Sequence, residues 1–369
     1  MVRIMIPERL VPIGLVWALL LAAVSCARGG EATPAKSKTA AKSTRATRTP
    51  RTREAEPPPC THHHRIVQVR RVQRPPARTM PELFARMGES FMRDPARGFQ
   101  NFIEELSQLE GPALQGVTIS AAEERQAGRK ARDEFLRRAA ARGYRLDNDR
   151  DKLAYLRELV DGFARRMRHR ARYPNIEVSL IDAPIPDGQS FPGGFLVFTT
   201  GLLDEPDEAT VAGVVAHELA HLDRGHLYEY ARRGKLAEAT YSRPPGMMGG
   251  PDFDRFFTRQ MALFGLMMNP FRPEHESEAD CTSVTWLYQE GYDPKALVSF
   301  FERMHARNRD QPDNPFFSFG RTHPYSLDRR RDVLVRLDQL QRWRPRRDLG
   351  RYPENLRRKV SRFRERAEP

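Results

Sequence analysis

The sequence predicts an α+β fold that is mainly helical and contains one small β-sheet. Segments with helical apolar spacing dominate the chain from residue 80 onward. Two strand-like segments, 176–184 and 195–200, follow one another and lead into a predicted helix that spans about residues 207–232. The order helix, strand, strand, helix is typical of an α+β domain with a small antiparallel or mixed sheet.

The first 26 residues have the layout of an export signal. A basic start precedes an apolar run over about residues 10–24, and small residues stand before Cys26. The alternative is a membrane anchor, for which the apolar run is short. Residues 21–26, LAAVSC, also resemble a bacterial lipobox with Ala23 where leucine is more usual, so lipidation of Cys26 stays open. We expect an exported protein of the periplasm or cell envelope, either free or held at a membrane through a lipid on Cys26.

Positive charge is concentrated outside the central part of the chain. Residues 27–79 hold thirteen Lys and Arg against three Glu, and residues 343–369 hold ten against four acidic residues, in a chain of net charge +14. Residues 27–79 also have few large apolar residues and predict a basic disordered tether. Residues 343–369 are predicted to form a basic C-terminal tail, which leaves residues 80–342 as a nearly neutral domain. Aromatic residues are rare among these cations, which argues against specific nucleic-acid binding and leaves anionic polymers or lipid surfaces as partners of the tether.

The elements of the domain follow from local signals. Ser120 and Glu123 form a capping box that predicts the start of a long helix. The first strand-like segment alternates between apolar and polar residues, and the second follows a Pro-Gly-Gly turn. The apolar segment 256–268 predicts either a lid over a cleft or a core helix. Further helices are predicted over residues 151–171, 274–291, 293–308 and the last part of 319–343.

A possible metal site begins with two histidines in the helix that follows the strands. His217 and His221 are four residues apart, so a helix places their side chains one turn apart on one face, close enough to share an ion. Glu218 stands beside that ion, where it could take a proton from water and deliver it to a leaving amine. The alternative is a pair of ordinary histidines on an amphipathic helix. Because two ligands do not hold a catalytic zinc, a third residue decides between these interpretations.

Two residues are candidates for the third ligand. His226 follows His221 by five residues, about 140° round a continuous helix, so it points away from the ion and is predicted to be a supporting residue. Glu276 reaches the ion if residues 274–280 are helical, and Asp280 then lies one turn later, where it accepts the free ring N–H of a ligating histidine. The alternative for this acidic segment is a solvated helix face. A set of two histidines and one glutamate is the catalytic pattern of zinc peptidases.

Four motifs together resemble a known family. FPGGFLVFTTGLL at 191–203, HELAHLDRGH at 217–226, EHESEAD at 274–280 and THPYSLDR at 322–329 are similar to the motif set of the HtpX, BepA and CAAX-prenyl-endopeptidase family of gluzincin metallopeptidases. The similarity extends from about Ile119 to Leu340. It implies a gluzincin-like metallopeptidase domain in which the HExxH helix packs against a small sheet, with one Zn²⁺ per chain.

The resemblance also implies roles for particular residues. It makes Glu218 the general base and matches Asp280 to the aspartate of the E-x-x-A-D motif, while His323 and Arg329 match residues that hold the tetrahedral intermediate or, in resting states, approach the zinc. The alternative for His323 is a loop histidine. Segment 195–200 resembles the strand at the cleft edge to which an extended substrate adds, and the alternative is an internal strand. The implied zinc ligands are His217, His221 and Glu276.

The resemblance implies a zinc metalloendopeptidase of the soluble envelope branch, which hydrolyses unfolded or misassembled polypeptides of the cell envelope. The alternative function is a zinc-stabilised chaperone or assembly factor with little turnover. In an oxidising compartment Cys60 and Cys281 could pair, although free thiols are an equal alternative.

Overall fold

The computed structural model describes residues 56–60, 82, 86, 114–241, 273–310 and 327–367. The predicted α+β fold is confirmed: in these residues several helices pack against one four-stranded sheet. Its helices are α1 Ala121–Ala141, α2 Arg150–Ala164, α3 Glu208–Asp223, α4 His226–Tyr241, α5 Pro273–Glu290, α6 Lys295–Asp310, α7 Leu327–Trp343, α8 Pro353–Arg358 and α9 Arg362–Glu365. Its strands are β1 Arg145–Leu146, β2 Glu177–Asp182, β3 Gly188–Phe191 and β4 Phe195–Thr199, and short 3-10 helices cover Arg170–Arg172 and Thr200–Asp204.

The capping box at the start of α1 is formed as predicted. The Ser120 hydroxyl accepts the Glu123 N–H at 3.1 Å, and the Glu123 carboxylate accepts the Ser120 N–H at 2.7 Å. This reciprocal pair satisfies two donors that the first helical turn leaves without a partner. The long helix therefore begins at the residue that the sequence indicates.

The sheet is mixed and has the strand order β1-β2-β4-β3. β2 runs parallel to β4, whereas β1 pairs antiparallel with β2 and β3 pairs antiparallel with β4. All five residues of β4 are buried, and the strand has a paired neighbour on each side; its side chains pack into hydrophobic clusters on both faces of the sheet. β4 is therefore an internal strand, and the resemblance to a cleft-edge strand is wrong for it; the outer strands of the described sheet are β1 and β3.

Helix α3 is buried along its whole length. All sixteen of its residues are buried, and it packs against α2, α5, α6 and β3. Asp207 caps its start by accepting the Thr210 N–H at 2.9 Å. A helix enclosed on all sides is apolar around its circumference, so the two histidines of α3 are core residues and not part of an exposed amphipathic face.

One predicted helix is in fact two. The sequence predicts a single helix to about residue 232, but the structure ends α3 at Asp223 and begins α4 at His226. Gly225 separates them with a φ of +78°, a conformation that glycine adopts without steric penalty. The chain therefore changes direction immediately before His226.

The predicted basic tail is part of the folded domain. Residues 344–367 carry α8 and α9, and the Phe363 ring contacts the Phe163 ring edge-on, with centroids 5.1 Å apart. Arg346 donates to the Tyr288 carbonyl at 2.7 Å, and Arg366 donates to the Glu290 carbonyl at 2.7 Å. These cations satisfy the last carbonyls of α5 and interact favourably with the negative end of its dipole.

Cys60 and Cys281 form a disulfide, which settles the alternative that the sequence leaves open. Pro58 and Pro59, just before Cys60, accept hydrogen bonds from Arg336 of α7 at 2.9 and 3.3 Å. The predicted export signal and nearly all of the predicted tether lie outside the described residues. Within the part of the chain that the structure describes, no helix has the length and apolar character needed to cross a bilayer.

Candidate active site

The candidate site lies between two packed helices, α3 and α5. His217 and His221 stand one turn apart on α3, and Glu276 and Asp280 stand one turn apart on α5. All four side chains are buried, none being more than 2% exposed. The predicted approach of Glu276 to the two histidines is therefore present in the fold.

The three predicted ligands present their donor atoms to one point. His217 Nε2 and His221 Nε2 are 3.0 Å apart, and each lies 3.4 Å from an oxygen of Glu276. Ligands about 2.0–2.1 Å from a tetrahedral Zn²⁺ stand roughly 3.3 Å from one another, which these distances match. Among the described residues, these three side chains form the group of His, Cys, Asp or Glu residues that lie close enough together to hold a metal ion. The donors therefore fit Zn²⁺ in both type and spacing.

Asp280 holds the first histidine from the side opposite the ligand atom. Its Oδ1 lies 3.0 Å from His217 Nδ1, a contact that favours a proton on Nδ1 and leaves Nε2 to face the ligand point. Arg329 donates to both oxygens of Asp280 at 2.7 Å and lies 2.9 Å from Glu276 Oε2. Burial opposes the charge on Asp280, but Arg329 and His217 outweigh it and lower its pKa. Arg329 is thus a buried cation that neutralises two carboxylates.

The same carboxylates act on His217. Burial disfavours its protonated form, but Asp280 and Glu276 outweigh burial and raise the pKa of His217 to about 9. A metal ion would compete with that proton for Nε2, because a ligating imidazole must be neutral at the ligand atom. The site is therefore built to carry positive charge between the two carboxylates.

The second histidine is supported by His226. His221 Nδ1 and His226 Nδ1 are 2.9 Å apart, and His226 Nε2 lies 3.3 Å from Glu278 Oε2. Burial lowers the pKa of His221 well below its usual value, and burial together with nearby His275 lowers that of His226 to about 3. Both rings are therefore neutral, and the contacts fit a chain in which His221 donates to His226 and His226 donates to Glu278. The turn at Gly225, and not the angle of a continuous helix, places His226 against His221, and its supporting role stays a prediction.

Glu218, the predicted general base, meets a serine from the sheet. The Ser190 hydroxyl donates to Glu218 Oε2 at 2.6 Å, and both residues are buried. Sequence spacing carries no signal for Ser190, because the pair is separated by 28 residues and meets only when β3 packs on α3. Glu278 was missed for a different reason: it lies within the acidic motif but on a side of α5 that the predicted ligands do not use.

Of His323 and Arg329, which the resemblance matches to residues that hold the reaction intermediate, only Arg329 lies among the described residues. His323 lies outside the described residues, as does the apolar segment 256–268. Arg329 reaches the site through Asp280 and Glu276, and its contact with a reaction intermediate stays a prediction.

Comparison with known proteins gives matches over the same part of the chain. The model of peptidase family M48 matches residues 152–336, about half of the chain. The mitochondrial metalloendopeptidase OMA1 of Schizosaccharomyces pombe is 28% identical over 166 residues, which cover 45% of this chain and 48% of that protein. The beta-barrel assembly-enhancing protease of Escherichia coli is 28% identical over 167 residues, which cover 41% of this chain and 32% of that protein. OMA1 of Arabidopsis thaliana is 30% identical over 129 residues, or 35% and 25% of the two chains. The matches thus span half or less of these relatives.

Proposed function

The chain belongs to peptidase family M48, and we propose that it is a zinc-dependent endopeptidase. The observation that carries the proposal is the convergence of His217, His221 and Glu276: the two Nε2 atoms are 3.0 Å apart, and each lies 3.4 Å from a different oxygen of Glu276. Glu218 adjoins the first of these residues on the same buried helix. This combination of a three-residue zinc set and a neighbouring carboxylate is suited to hydrolysis of a peptide bond.

When bound, Zn²⁺ polarises a peptide carbonyl and makes a water molecule more acidic. Glu218 accepts the proton of the attacking water and then gives it to the amine that leaves. Asp280 and His226 keep the two histidines in the tautomers that present Nε2 to the ion. Arg329 offsets the negative charge of Glu276 and Asp280, which lowers the cost of burying both carboxylates.

An extended polypeptide is the substrate shape that suits this fold. In the antiparallel β3–β4 pair, the Asp187 carbonyl accepts the Thr199 N–H at 3.1 Å, so the residues that bond to β4 are Asp187, Gln189 and Phe191. The main-chain groups of Ser190 consequently face away from β4. Ser190 is only 3% exposed, so a substrate strand can reach these groups only after this edge opens, and it then pairs through its main chain, which demands little of its sequence.

We further propose that the substrates are unfolded or misassembled proteins of the cell envelope. The layout of residues 1–26 supports export, and the disulfide between Cys60 and Cys281 supports an oxidising compartment. The E. coli relative is named a beta-barrel assembly-enhancing protease, which supports a role in protein assembly. A lipid on Cys26 would hold the enzyme at a membrane surface.

The test is the Glu218→Gln variant of the full chain. We expect it to keep one zinc per chain but to cleave unfolded casein about 100- to 10,000-fold more slowly, because an amide cannot take a proton from water. Metal analysis and a gel-based cleavage assay measure the two quantities. Glu205→Gln is the matched control, since the Glu205 side chain is only 8% exposed but pairs with Arg303 away from the ligands.

Two outcomes would contradict the assignment. A Glu218→Gln variant with wild-type cleavage would remove the general base from the mechanism. A zinc-loaded wild-type chain that leaves casein intact, yet prevents its aggregation as well as the variant does, would favour the chaperone alternative.

A further inference from the structure

The hydrogen bond between Ser190 and Glu218 joins the sheet to the predicted general base. Its length is 2.6 Å, and both side chains are almost completely buried. A hydroxyl that donates to a buried carboxylate makes a short, strong, directional bond. Ser190 therefore restrains one oxygen of Glu218 in a place where little water competes for it.

The packing of β3 on α3 makes this contact specific to position 190. A Cβ atom at Gly188 would lie 2.8 Å from Val214 Cγ1, so glycine permits the close approach of strand and helix there. Two residues further along a strand advance about 6.8 Å, and four further along a helix advance about 6 Å. The step from Gly188 to Ser190 therefore matches the step from Val214 to Glu218. Ser190 consequently faces Glu218 through the register of two packed elements, not through a flexible loop.

Residue 190 also faces the edge of the sheet. Its side chain reaches Glu218, while its main-chain groups point away from β4, as the hydrogen bond between Asp187 and Thr199 indicates. A peptide paired with this edge would be held by the same residue that holds the base. The distance between the substrate main chain and the Glu218 carboxylate would then depend on one residue.

We propose that Ser190 is a positioning residue for Glu218, holding the carboxylate in the orientation that accepts the proton of the attacking water. This inference rests on the proposed endopeptidase function and adds to it a residue outside the zinc set and its supporting side chains. A glutamate has three side-chain torsions, and loss of the hydroxyl allows other rotamers. The reacting orientation is then populated less often, which lowers the rate of the chemical step without weakening substrate pairing.

The experiment compares Ser190→Ala, Ser190→Thr and Ser283→Ala in the full chain. Removing the Ser190 hydroxyl is expected to lower kcat for an internally quenched peptide about tenfold, the usual effect of losing one hydrogen bond to a charged group, with KM and zinc content unchanged. Ser190→Thr keeps a hydroxyl and is expected to restore most of kcat. Ser283→Ala is the matched control, because Ser283 is equally buried but donates to the Asp280 carbonyl at 2.9 Å.

Two results would overturn the inference. One is a Ser190→Ala enzyme with wild-type kcat; the other is a Ser190→Ala enzyme whose lower kcat is accompanied by loss of zinc. A crystal structure of Ser190→Ala gives a readout that does not need turnover: several Glu218 rotamers support the inference, and the single wild-type rotamer contradicts it. Failure of the wild-type chain to cleave any peptide would instead contradict the proposed function, and the Glu218 rotamers would still decide the role of Ser190.

Discussion

At the scale of single residues, Asp280 contacts both a predicted zinc ligand, His217, and the buried cation Arg329. Its Oδ1 lies 3.0 Å from His217 Nδ1, and its two oxygens accept hydrogen bonds from Arg329 at 2.7 Å. Only a charged carboxylate can accept from both partners at once, and Arg329 with His217 keeps it charged despite burial. Asp280 therefore fixes the tautomer of a ligand and binds the cation that neutralises the site.

Asp280→Asn should weaken zinc binding by about 10- to 100-fold, because an amide presents a donor to one of two neighbours that are themselves donors. Competition with a chelator of known affinity measures the effect. Asp223→Asn is the control: Asp223 is also buried but accepts the His169 main-chain N–H at 2.8 Å. Equal zinc affinities of the two variants would argue against this role for Asp280.

The residues that lie a fixed number of positions apart on a helix could be predicted from the sequence. His217 and His221 are one turn apart, and so are Glu276 and Asp280, and the structure brings the two pairs together. Ser190 could not be predicted, because its meeting with Glu218 depends on how a strand packs on a helix. The spacing of residues within one element predicts which of them share a face, but it does not predict the distance between two elements.

At the scale of elements, the break at Gly225 decides what His226 can do. The Gly225 N–H reaches the Leu222 carbonyl at 3.1 Å, and the next helix starts at His226. This turn returns the His226 ring to within 2.9 Å of His221, a contact that a continuous helix excludes. A helical pattern that continues through a single glycine does not reveal such a break, which is why the sequence predicts one helix.

Two glycines provide a matched test of this break. Gly225→Ala should lower the free energy of unfolding by about 1 kcal/mol, because φ is +78° and no neighbouring atom lies within 4 Å of the added Cβ. Gly234→Ala, inside α4 and equally uncrowded, should raise it by roughly 0.5–1 kcal/mol. Urea denaturation at a fixed zinc concentration measures both. If both substitutions changed the free energy of unfolding in the same direction, the positive φ at Gly225 would not explain the effect of Gly225→Ala.

Some of the strands could be predicted from their own sequence pattern, and others could not. β2 alternates between buried and partly exposed positions over most of its length, and its bounds fall inside the predicted segment. β1 has only two residues, Arg145 and Leu146, and β3 reads Gly-Gln-Ser-Phe, so neither has a strand pattern of its own. Both exist because a neighbouring strand offers hydrogen bonds, which is a property of the sheet and not of the segment.

At the scale of the molecule, Glu208 joins three distant parts of the chain. It stands in the first turn of α3, where its Oε1 accepts the Tyr292 hydroxyl at 2.8 Å and the Arg362 main-chain N–H at 2.9 Å. Burial raises the pKa of Glu208 to about 7, although both of these hydrogen bonds favour the charged form. Folding therefore favours protonation of this carboxyl.

This shift predicts a pH-dependent contribution to stability. The unfolded chain releases the Glu208 proton near pH 4.5 and the folded chain near pH 7, so the folded state binds more protons between these values. The contribution of Glu208 to the free energy of unfolding should fall as pH rises through this window, by roughly 3 kcal/mol, and be constant above it. Glu208→Gln does not titrate, so wild type should lose stability relative to it between pH 5 and pH 7.5 in urea denaturation. A difference that is the same at both values would contradict the shift.

The C-terminal part of the domain shows that amino-acid composition does not reveal whether a basic segment is folded. Residues 344–367 are rich in arginine and predict a tail, yet Arg346, Arg362 and Arg366 bind carbonyls at the end of α5. Charge content cannot distinguish a solvated cation from one that caps a helix, because the difference lies in a partner far away in the sequence.

The disulfide between Cys60 and Cys281 has a consequence for any cut in the backbone. It closes a covalent ring that contains His217, Glu218, His221 and Glu276. If the enzyme cleaves its own chain at a peptide bond between residues 61 and 280, the two pieces stay linked and every one of these side chains remains in one molecule. Such a nicked enzyme would migrate with the intact chain on a non-reducing gel and separate into fragments only after reduction.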